Sequence, residues 1–317
     1  MQEIRVSQKI KIAGQIYYFE LTDPNGGILP AFSPGSHIDV DTGEGVIRQY
    51  SLCNDPAEQH RYCIAVLLSE VSRGGSKRMH ENIHIGDILQ INVPRNMFNF
   101  SPDSDHTILF AAGIGITPIL SMAWALYNSG NKFSLHYCGR KSENMAFMST
   151  IHNLPFFDNI TLHITEGDIN KRINLRNILT PSMPENRIFM CGPESFMNDI
   201  SQMAKMSGWQ EGKIHREDFA RVDHSHISSN SFTLYLARSG LAIEVNENES
   251  ALEALLREGI DMNFSCEQGI CGSCLTTIIE GEAIHNDAYL TAKEKSENKS
   301  FLPCCSRAKS LKLILDL

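Results

Sequence analysis

Cys266-Glu-Gln-Gly269-Ile-Cys271-Gly272-Ser-Cys274, with Cys304 following after twenty-nine further residues, decides the reading of this chain. Four residues and then two separate the first three cysteines, the spacing of plant-type 2Fe-2S clusters, in which four thiolates hold two irons. Three ligands on one short loop must wrap a compact cluster. Glycines at 269 and 272 let backbone amides approach the sulfur atoms with no Cβ in the way. A zinc site or a set of buried thiols is the competing reading, but zinc sites favour paired spacings of two to four residues on both sides. Cys304 and Cys305 are neighbours, and neighbouring side chains of an extended segment point to opposite sides, so only one of them is expected to ligate.

The chain has 317 residues, longer than the usual domain of roughly 100 to 200, which predicts two or three domains. Nine cysteines, five of them after residue 265, fit metal binding better than disulfides in a chain whose start, Met-Gln-Glu-Ile-Arg-Val, lacks the charged and apolar regions of a signal peptide. A cytoplasmic location is expected. The formal charge of -9 argues against nucleic acid or an anionic membrane as partner. No stretch approaches the ~20 apolar residues of a membrane span.

The periodicity changes twice. Short alternating segments at 4–12, 17–21, 37–40, 62–68 and 88–93, separated by Gly, Pro and Asp clusters, predict a small antiparallel β-barrel over 1–102. Over 103–222, strands at 107–112, 133–137 and 187–191 alternate with helices at 118–127, 143–152 and 194–206, the pattern of an α/β parallel-sheet domain. The polar run 221–230 reads as a linker, and a third domain occupies 230–317.

Phe110-Ala-Ala-Gly113-Ile-Gly115-Ile-Thr117-Pro118 follows an apolar strand and opens a helix, with Pro118 placed early, where its missing N–H costs little. A helix start bared by glycines can hold a pyrophosphate on backbone amides, although an ordinary strand-to-helix turn would look the same. Met190-Cys191-Gly192-Pro193 repeats the arrangement at a second strand end, and two such ends in one sheet form the crevice where open α/β sheets bind ligands. Gly113, Gly115, Thr117, Pro118, Cys191, Gly192 and Pro193 are therefore candidate nucleotide-binding residues. Cys191 could equally be a buried cysteine at a strand end. Arg140 and Lys141 could attract a 2′-phosphate or form a solvated basic turn.

In the barrel, Arg48-Gln49-Tyr50-Ser51 combines a guanidinium able to clamp phosphate, a phenol ring able to pack on isoalloxazine, and a hydroxyl or amide at Ser51 able to reach flavin N5. Arg73-Gly74-Gly75-Ser76 offers a glycine nest before a helix, suited to a second phosphate contact. Phe219 either packs near the flavin or belongs to the core.

Taken together, these motifs resemble the phthalate dioxygenase reductase and vanillate demethylase reductase family of the ferredoxin-NADP reductase superfamily. The resemblance is carried by Arg48-Gln49-Tyr50-Ser51, Gly86-Asp87, Pro94-Arg95-Asn96-x-Phe98, Cys191-Gly192-Pro193, His215-Arg216-Glu217-Asp218-Phe219 and Cys304-Cys305-Ser306-Arg307-Ala308, and it covers essentially the whole chain. It implies a flavin barrel, a nucleotide domain and a β-grasp ferredoxin domain, in that order. It places the fourth metal ligand at Cys304, after Cys266, Cys271 and Cys274, and sets Ser51 and Cys191 at the reacting atoms. It implies FMN as the flavin, with FAD left open by similar barrels elsewhere, and NADH as donor from the His-Tyr-Cys-x-Arg segment beginning at His136. It further implies a Rieske-type terminal oxygenase as electron acceptor, acting on an aromatic acid such as phthalate or vanillate or on a quaternary amine such as carnitine. A monomer is expected.

The chemistry fits the three parts, since hydride carries two electrons, a 2Fe-2S centre accepts one, and a flavin must stand between them. No general base is required. Two other functions stay open: a stand-alone NAD(P)H:acceptor reductase, and a non-enzymatic iron–sulfur redox sensor, which would have no need of Arg48 to Ser51 or Cys191 to Pro193.

Overall fold

The computed structural model describes residues 1–43, 46–69, 74–98, 100–102, 104–179, 186–219, 231–247, 249–264, 269, 272–287 and 289–317. The linker expected at 221–230, Arg73, Cys266 and Cys271 lie outside these residues. The chain divides into two compact units, Met1–Phe219 and Ala220–Leu317.

The first unit opens with the strands β1 (Gln2–Ala13), β2 (Ile16–Thr22), β3 (Ser36–Asp41), β4 (Ile47–Ser51) and β5 (Tyr62–Leu67), then the helix α1 (Gly75–Glu81), β6 (Ile88–Ile91) and β7 (Arg95–Asn96). They form one antiparallel sheet in the order β4-β3-β6-β1-β2-β5, with β7 on β3. A bridge between Leu52 and Ile64 joins its two ends and closes the barrel. Closure removes the unpaired edges that an open sheet would expose. Ile4, Val6, Phe19, Leu21, Ile38, Val40 and Ile64 fill the interior, as the period-two pattern requires.

The second half of this unit runs β8 (Thr107–Ala112), α2 (Ile116–Asn128), β9 (Phe133–Gly139), β10 (Ile160–Ile164), α3 (Leu175–Ile178), β11 (Arg187–Cys191), α4 (Glu194–Met206) and β12 (Ile214–Glu217). The five strands are parallel, in the order β10-β9-β8-β11-β12. Barrel and sheet share one core, in which Ile16, Cys53, Cys63 and Ala65 pack with Leu109, Ile116, Met122 and Cys191. The helix expected over 143–152 does not form. Met145, Ala146 and Phe147 are all buried in succession, which a helix with one core face cannot arrange, and Phe147 sits at φ 64.

The second unit holds β13 (Phe232–Leu236), β14 (Ala242–Val245), α5 (Ala251–Arg257), β15 (Thr276–Glu280), β16 (Ala283–Ile284), α6 (Ala292–Glu297), β17 (Ser300–Phe301), β18 (Arg307–Ala308) and β19 (Lys312–Leu315). A hairpin, β13–β14, leads into α5, and β19 returns parallel to β13 in a sheet ordered β14-β13-β19-β15-β17, the expected β-grasp arrangement. Both helices start with a capping box. Ser250 Oγ accepts from Glu253 N at 3.1 Å while Glu253 Oε2 accepts from Ser250 N at 2.9 Å, and Thr291 and Glu294 repeat the exchange. Among the described residues no helix is long and apolar enough to cross a membrane.

Candidate redox site

At the C-terminal edge of the parallel sheet, β8 ends in the tight turn Gly113–Gly115 and runs directly into α2. Gly113 takes φ +56, a conformation that favours glycine, and its carbonyl accepts from Tyr137 Oη at 3.2 Å. A Cβ on Gly115 would stand 2.4 Å from the Cys191 carbonyl oxygen, and one on Gly192 would stand 2.9 Å from Ala112 Cβ. The two glycine-marked strand ends predicted to form a crevice are thus pressed together. Thr117 faces the turn, donating from Oγ1 to the Ile114 carbonyl at 3.0 Å, and Pro118 is buried in the first turn of α2. Pro193 serves as the residue preceding α4. Cys191 is fully buried, and burial, followed by the nearby Glu217 and Asp218 carboxylates, raises its thiol pKa well above the usual value. It is a neutral S–H group rather than a nucleophile.

One residue at this edge escaped the sequence reading. Glu217 ends β12 in register with Cys191 on β11. Burial, with Asp218 adding to it, pushes its carboxyl up to about 8, and Oε2 is enclosed without a hydrogen-bond partner among the described residues. No motif marks it. Only the pairing of β12 with β11 brings it to the crevice.

In the barrel, strand alternation divides the Arg48–Ser51 quartet. Arg48 and Tyr50 share one face and Gln49 and Ser51 the other. Arg48 lies over the start of α1, close enough that a Cβ on Gly75 would stand 2.5 Å from its Cγ and 2.7 Å from its Nε. Gly74 caps that helix at φ 100, and Ser76 Oγ accepts from Ser69 N at 3.2 Å. Burial pulls the Arg48 pKa down, so an anion held there would stabilise the guanidinium. The Tyr50 hydroxyl is buried with no hydrogen-bond partner among the described residues. A flavin phosphate against Arg48 and the backbone at Gly74–Gly75 would offset the cost of burying the guanidinium, and a polar flavin atom at Tyr50 would satisfy its hydroxyl, so these residues fit the cofactor.

On the other face Gln49 Nε2 donates to Asp39 Oδ1 at 3.0 Å and lies 3.3 Å from His37 Nε2. Asp39 is fully buried, accepting from Asn92 at 2.7 Å and from Arg95, and burial lowers His37 to about 4. This network braces the barrel, and Gln49 is part of it. Ser51 is buried opposite His37. Cys53, two residues on, lies in the same core cluster as Cys191, against which Phe219 also packs, so both halves of the first unit meet there.

In the second unit Cys274 and Cys304 are buried and come together. The Cys304 sulfur lies near enough to the Cys274 and Cys305 thiols and to the Gly269 N–H that all three shift its pKa. Gly269 has φ +73 and a Cβ there would stand 2.4 Å from Cys305 Sγ; Gly272 has φ +72 and a Cβ would run into the Tyr289 ring at 2.3 Å. Thiolate donors and backbone approaching with no Cβ are what an iron–sulfur cluster needs, and the described residues fit one. The extended segment expected at 304–305 is instead a turn, in which Cys305 N and Ser306 N donate to the Leu302 carbonyl at 3.2 and 2.9 Å. The two cysteines therefore do not point to opposite sides. Cys305 Sγ is occupied by Leu302 O and Ser306 Oγ, each at 3.7 Å, whereas Cys304 meets the further predicted ligand Cys274.

Comparison with known proteins agrees with this geometry. Residues 234–309 match the 2Fe-2S iron-sulfur cluster binding domain. The chain is 40% identical over 317 residues to vanillate O-demethylase oxidoreductase of Pseudomonas sp. (strain HR199 / DSM 7063), covering 100% of both chains. It is 38% identical over 315 residues to phthalate dioxygenase reductase of Burkholderia cepacia, covering 99% of this chain and 97% of that one. The solved structure of a phthalate dioxygenase reductase, described as a modular structure for electron transfer from pyridine nucleotides to [2Fe-2S], superposes with a TM-score of 0.82 at 37% identity, covering 100% of this chain and 98% of that one.

Proposed function

Since the chain belongs to the family of vanillate O-demethylase oxidoreductase and phthalate dioxygenase reductase, we propose that it is the NADH-dependent reductase component of a two-component Rieske-type oxygenase. It takes hydride from NADH and delivers single electrons to the oxygenase, with FMN and a 2Fe-2S cluster as resident cofactors. The observation that carries this reading is the presence in one chain of a glycine-lined crevice beside Cys191 and a paired thiol site at Cys274 and Cys304.

When bound, the flavin and the cluster supply the chemistry that splits a two-electron hydride into single electrons. The residues do the positioning. The amides at Gly113 and Gly115, at the start of α2, hold the nucleotide pyrophosphate. Cys191, a neutral thiol in a buried wall, excludes water beside the nicotinamide without attacking it. Glu217, protonated at neutral pH, can donate a hydrogen bond from the same edge, which an ionised carboxylate could not. Arg48 and the Gly74–Gly75 backbone would hold the flavin phosphate, and Ser51, whose side chain lies on the opposite face, would reach N5 through its backbone amide. Cys266 and Cys271 would complete the ligand set with Cys274 and Cys304, and the Gly269 amide would tune it.

Anaerobic titration with NADH tests the reading. The flavin absorbance should bleach first, followed by the red-brown iron–sulfur bands, and released flavin should co-migrate with FMN. FAD would correct the cofactor and keep the mechanism. A protein holding zinc in place of iron, or one that NADH does not bleach, would overturn the proposal.

A further inference from the structure

In the second unit the carboxylate of Asp287 is wholly enclosed, with its side chain 0% exposed. Its Oδ2 accepts from Leu290 N at 2.8 Å and stands 3.7 Å from Lys295 Nζ, and its Oδ1 accepts from Ser306 Oγ at 3.4 Å. Lys295 also donates to the Asp287 carbonyl. It projects from α6, whose start is fixed by the Thr291–Glu294 capping box. Beside this pair His285 is also closed in, with neither ring nitrogen hydrogen-bonded among the described residues and Nδ1 3.6 Å from Asp287 Oδ1.

The network is built against the thiol site. A Cβ on Gly269 would stand 3.0 Å from Asp287 Cα, 3.1 Å from its Cβ and 2.4 Å from Cys305 Sγ, so the aspartate backs onto the glycine that presses on the cysteine turn and whose N–H acts on the Cys304 thiol. Asn286 bonds the other wall of that site, donating from Nδ2 to the Cys305 carbonyl at 3.0 Å and from its backbone N to Ser306 Oγ at 3.2 Å. The path Lys295, Asp287, Gly269, Cys304 is continuous contact.

A buried carboxylate costs free energy that its partners must offset, which makes it an expensive way merely to fill space. Its charge also acts differently from that of its partner. The carboxylate is in the low-dielectric interior while the Lys295 side chain is 29% exposed and more strongly screened, so the field reaching the thiol site is dominated by the anion. Net charge and hydrogen bonds to sulfur set the potential of an iron–sulfur centre. We propose that Asp287 is a positioning residue for the cluster: it seats Gly269 against the Cys304–Cys305 turn and, balanced by Lys295, holds the reduction potential of the centre down. This rests on the iron–sulfur reading of the second unit.

The test is an EPR-monitored redox titration of the full-length protein and its Asp287→Asn and Lys295→Gln variants, all at one fixed pH. Asp287→Asn should move the potential to more positive values and Lys295→Gln to more negative ones, with iron and sulfide contents equal to the parent's. A residue that only supports the fold would lose cluster without this opposition of sign. Potentials unchanged in both variants, or shifted in the same direction, overturn the proposal. If Asp287→Asn fails to retain cluster, the more exposed Lys295→Gln decides alone, a negative shift supporting the proposal and no shift overturning it. A parent protein lacking iron and sulfide would instead overturn the iron–sulfur reading itself.

Discussion

Gly115 and Cys191 are packed backbone to backbone: a Cβ on the glycine would stand 2.4 Å from the cysteine carbonyl oxygen and 2.5 Å from its carbonyl carbon. Neither strand end can yield, because β8 and β11 are paired through Ala111 and Cys191 in the sheet. Gly115→Ala must therefore open the crevice by roughly an ångström. A misplacement of that size costs on the order of 100-fold in rate. Stopped-flow reduction of the flavin by NADH should show such a loss, whereas Gly113→Ala, which meets no atom within 4 Å, should lose much less because only the φ of +56 opposes it. Equal rates in the parent and Gly115→Ala would refute the assignment of the crevice.

Arg48 and Tyr50 give a pair of contrasting predictions. Arg48→Lys should bind flavin at least ~10-fold more weakly, since an ammonium cannot replace the planar fork of a guanidinium on phosphate. Tyr50→Phe removes a hydroxyl that is buried without a hydrogen-bond partner among the described residues, so the flavin-free protein should melt at the same temperature or higher. The flavin-loaded variant should lose part of the stabilisation that the cofactor confers. Melting curves with and without FMN measure both, and a destabilised flavin-free Tyr50→Phe protein would show that the hydroxyl has a structural role.

Glu217 predicts a pH dependence. Its folded pKa, about 8, lies above the ordinary carboxyl value of 4.5, so between those limits the folded chain holds a proton that the unfolded chain has released. Folding is then favoured at the acid end of the window, and this contribution is lost as pH rises from 4.5 to 8. The slope from this group is at most about 1.4 kcal/mol per pH unit. Glu217→Gln should remove it. Urea unfolding at several pH values would measure the difference, and identical slopes in parent and variant would dispose of the idea.

What the sequence made legible follows from how local the cause was. Alternation is a property of a few neighbouring residues, and Ile4 to Ile12 or Tyr62 to Leu67 could be read as strands directly. The 194–206 helix was legible for the same reason. Met145 to Phe147 was not, because those residues answer to the core beneath them: Met145 fills the space over Gly139, where a Cβ would stand 2.4 Å from its sulfur. Glu217 and Asp287 were invisible as site residues, since an acidic residue announces nothing until a strand pairing or a loop crossing encloses it. The quartet at Arg48 was legible as a motif, but only the pairing of β4 with β3 shows Gln49 committed to Asp39 and His37.

Cys304 and Cys305 test the ligand choice. Cys304→Ser should lose most of the iron, because its sulfur is the one that meets Cys274. Cys305→Ser should keep the cluster, since a hydroxyl can replace the thiol in its bonds to Leu302 O and Ser306 Oγ. Iron analysis and the visible spectrum decide. Because the two lie in a turn rather than an extended segment, retention of a cluster by Cys304→Ser would mean that Cys305 swings in as ligand.

The last prediction separates hydride transfer from electron delivery. The motifs for flavin and nucleotide all precede residue 220, and the core clusters around Phe19, Leu109 and Ile188 are built wholly from residues of the first unit. A chain ending at residue 229 should therefore fold as a flavoprotein, and NADH should reduce its flavin at a rate within a factor of a few of the parent's. It should still reduce ferricyanide. Cytochrome c and the oxygenase, which take single electrons, should be reduced slowly or not at all, because Cys274, Cys304 and the rest of the thiol site are gone. Stopped-flow bleaching of the truncated protein and steady-state assays with both kinds of acceptor make the measurement. Loss of bleaching while FMN remains bound would show that residues after 229 help to build the nicotinamide site, and the separation of the two half-reactions would fail.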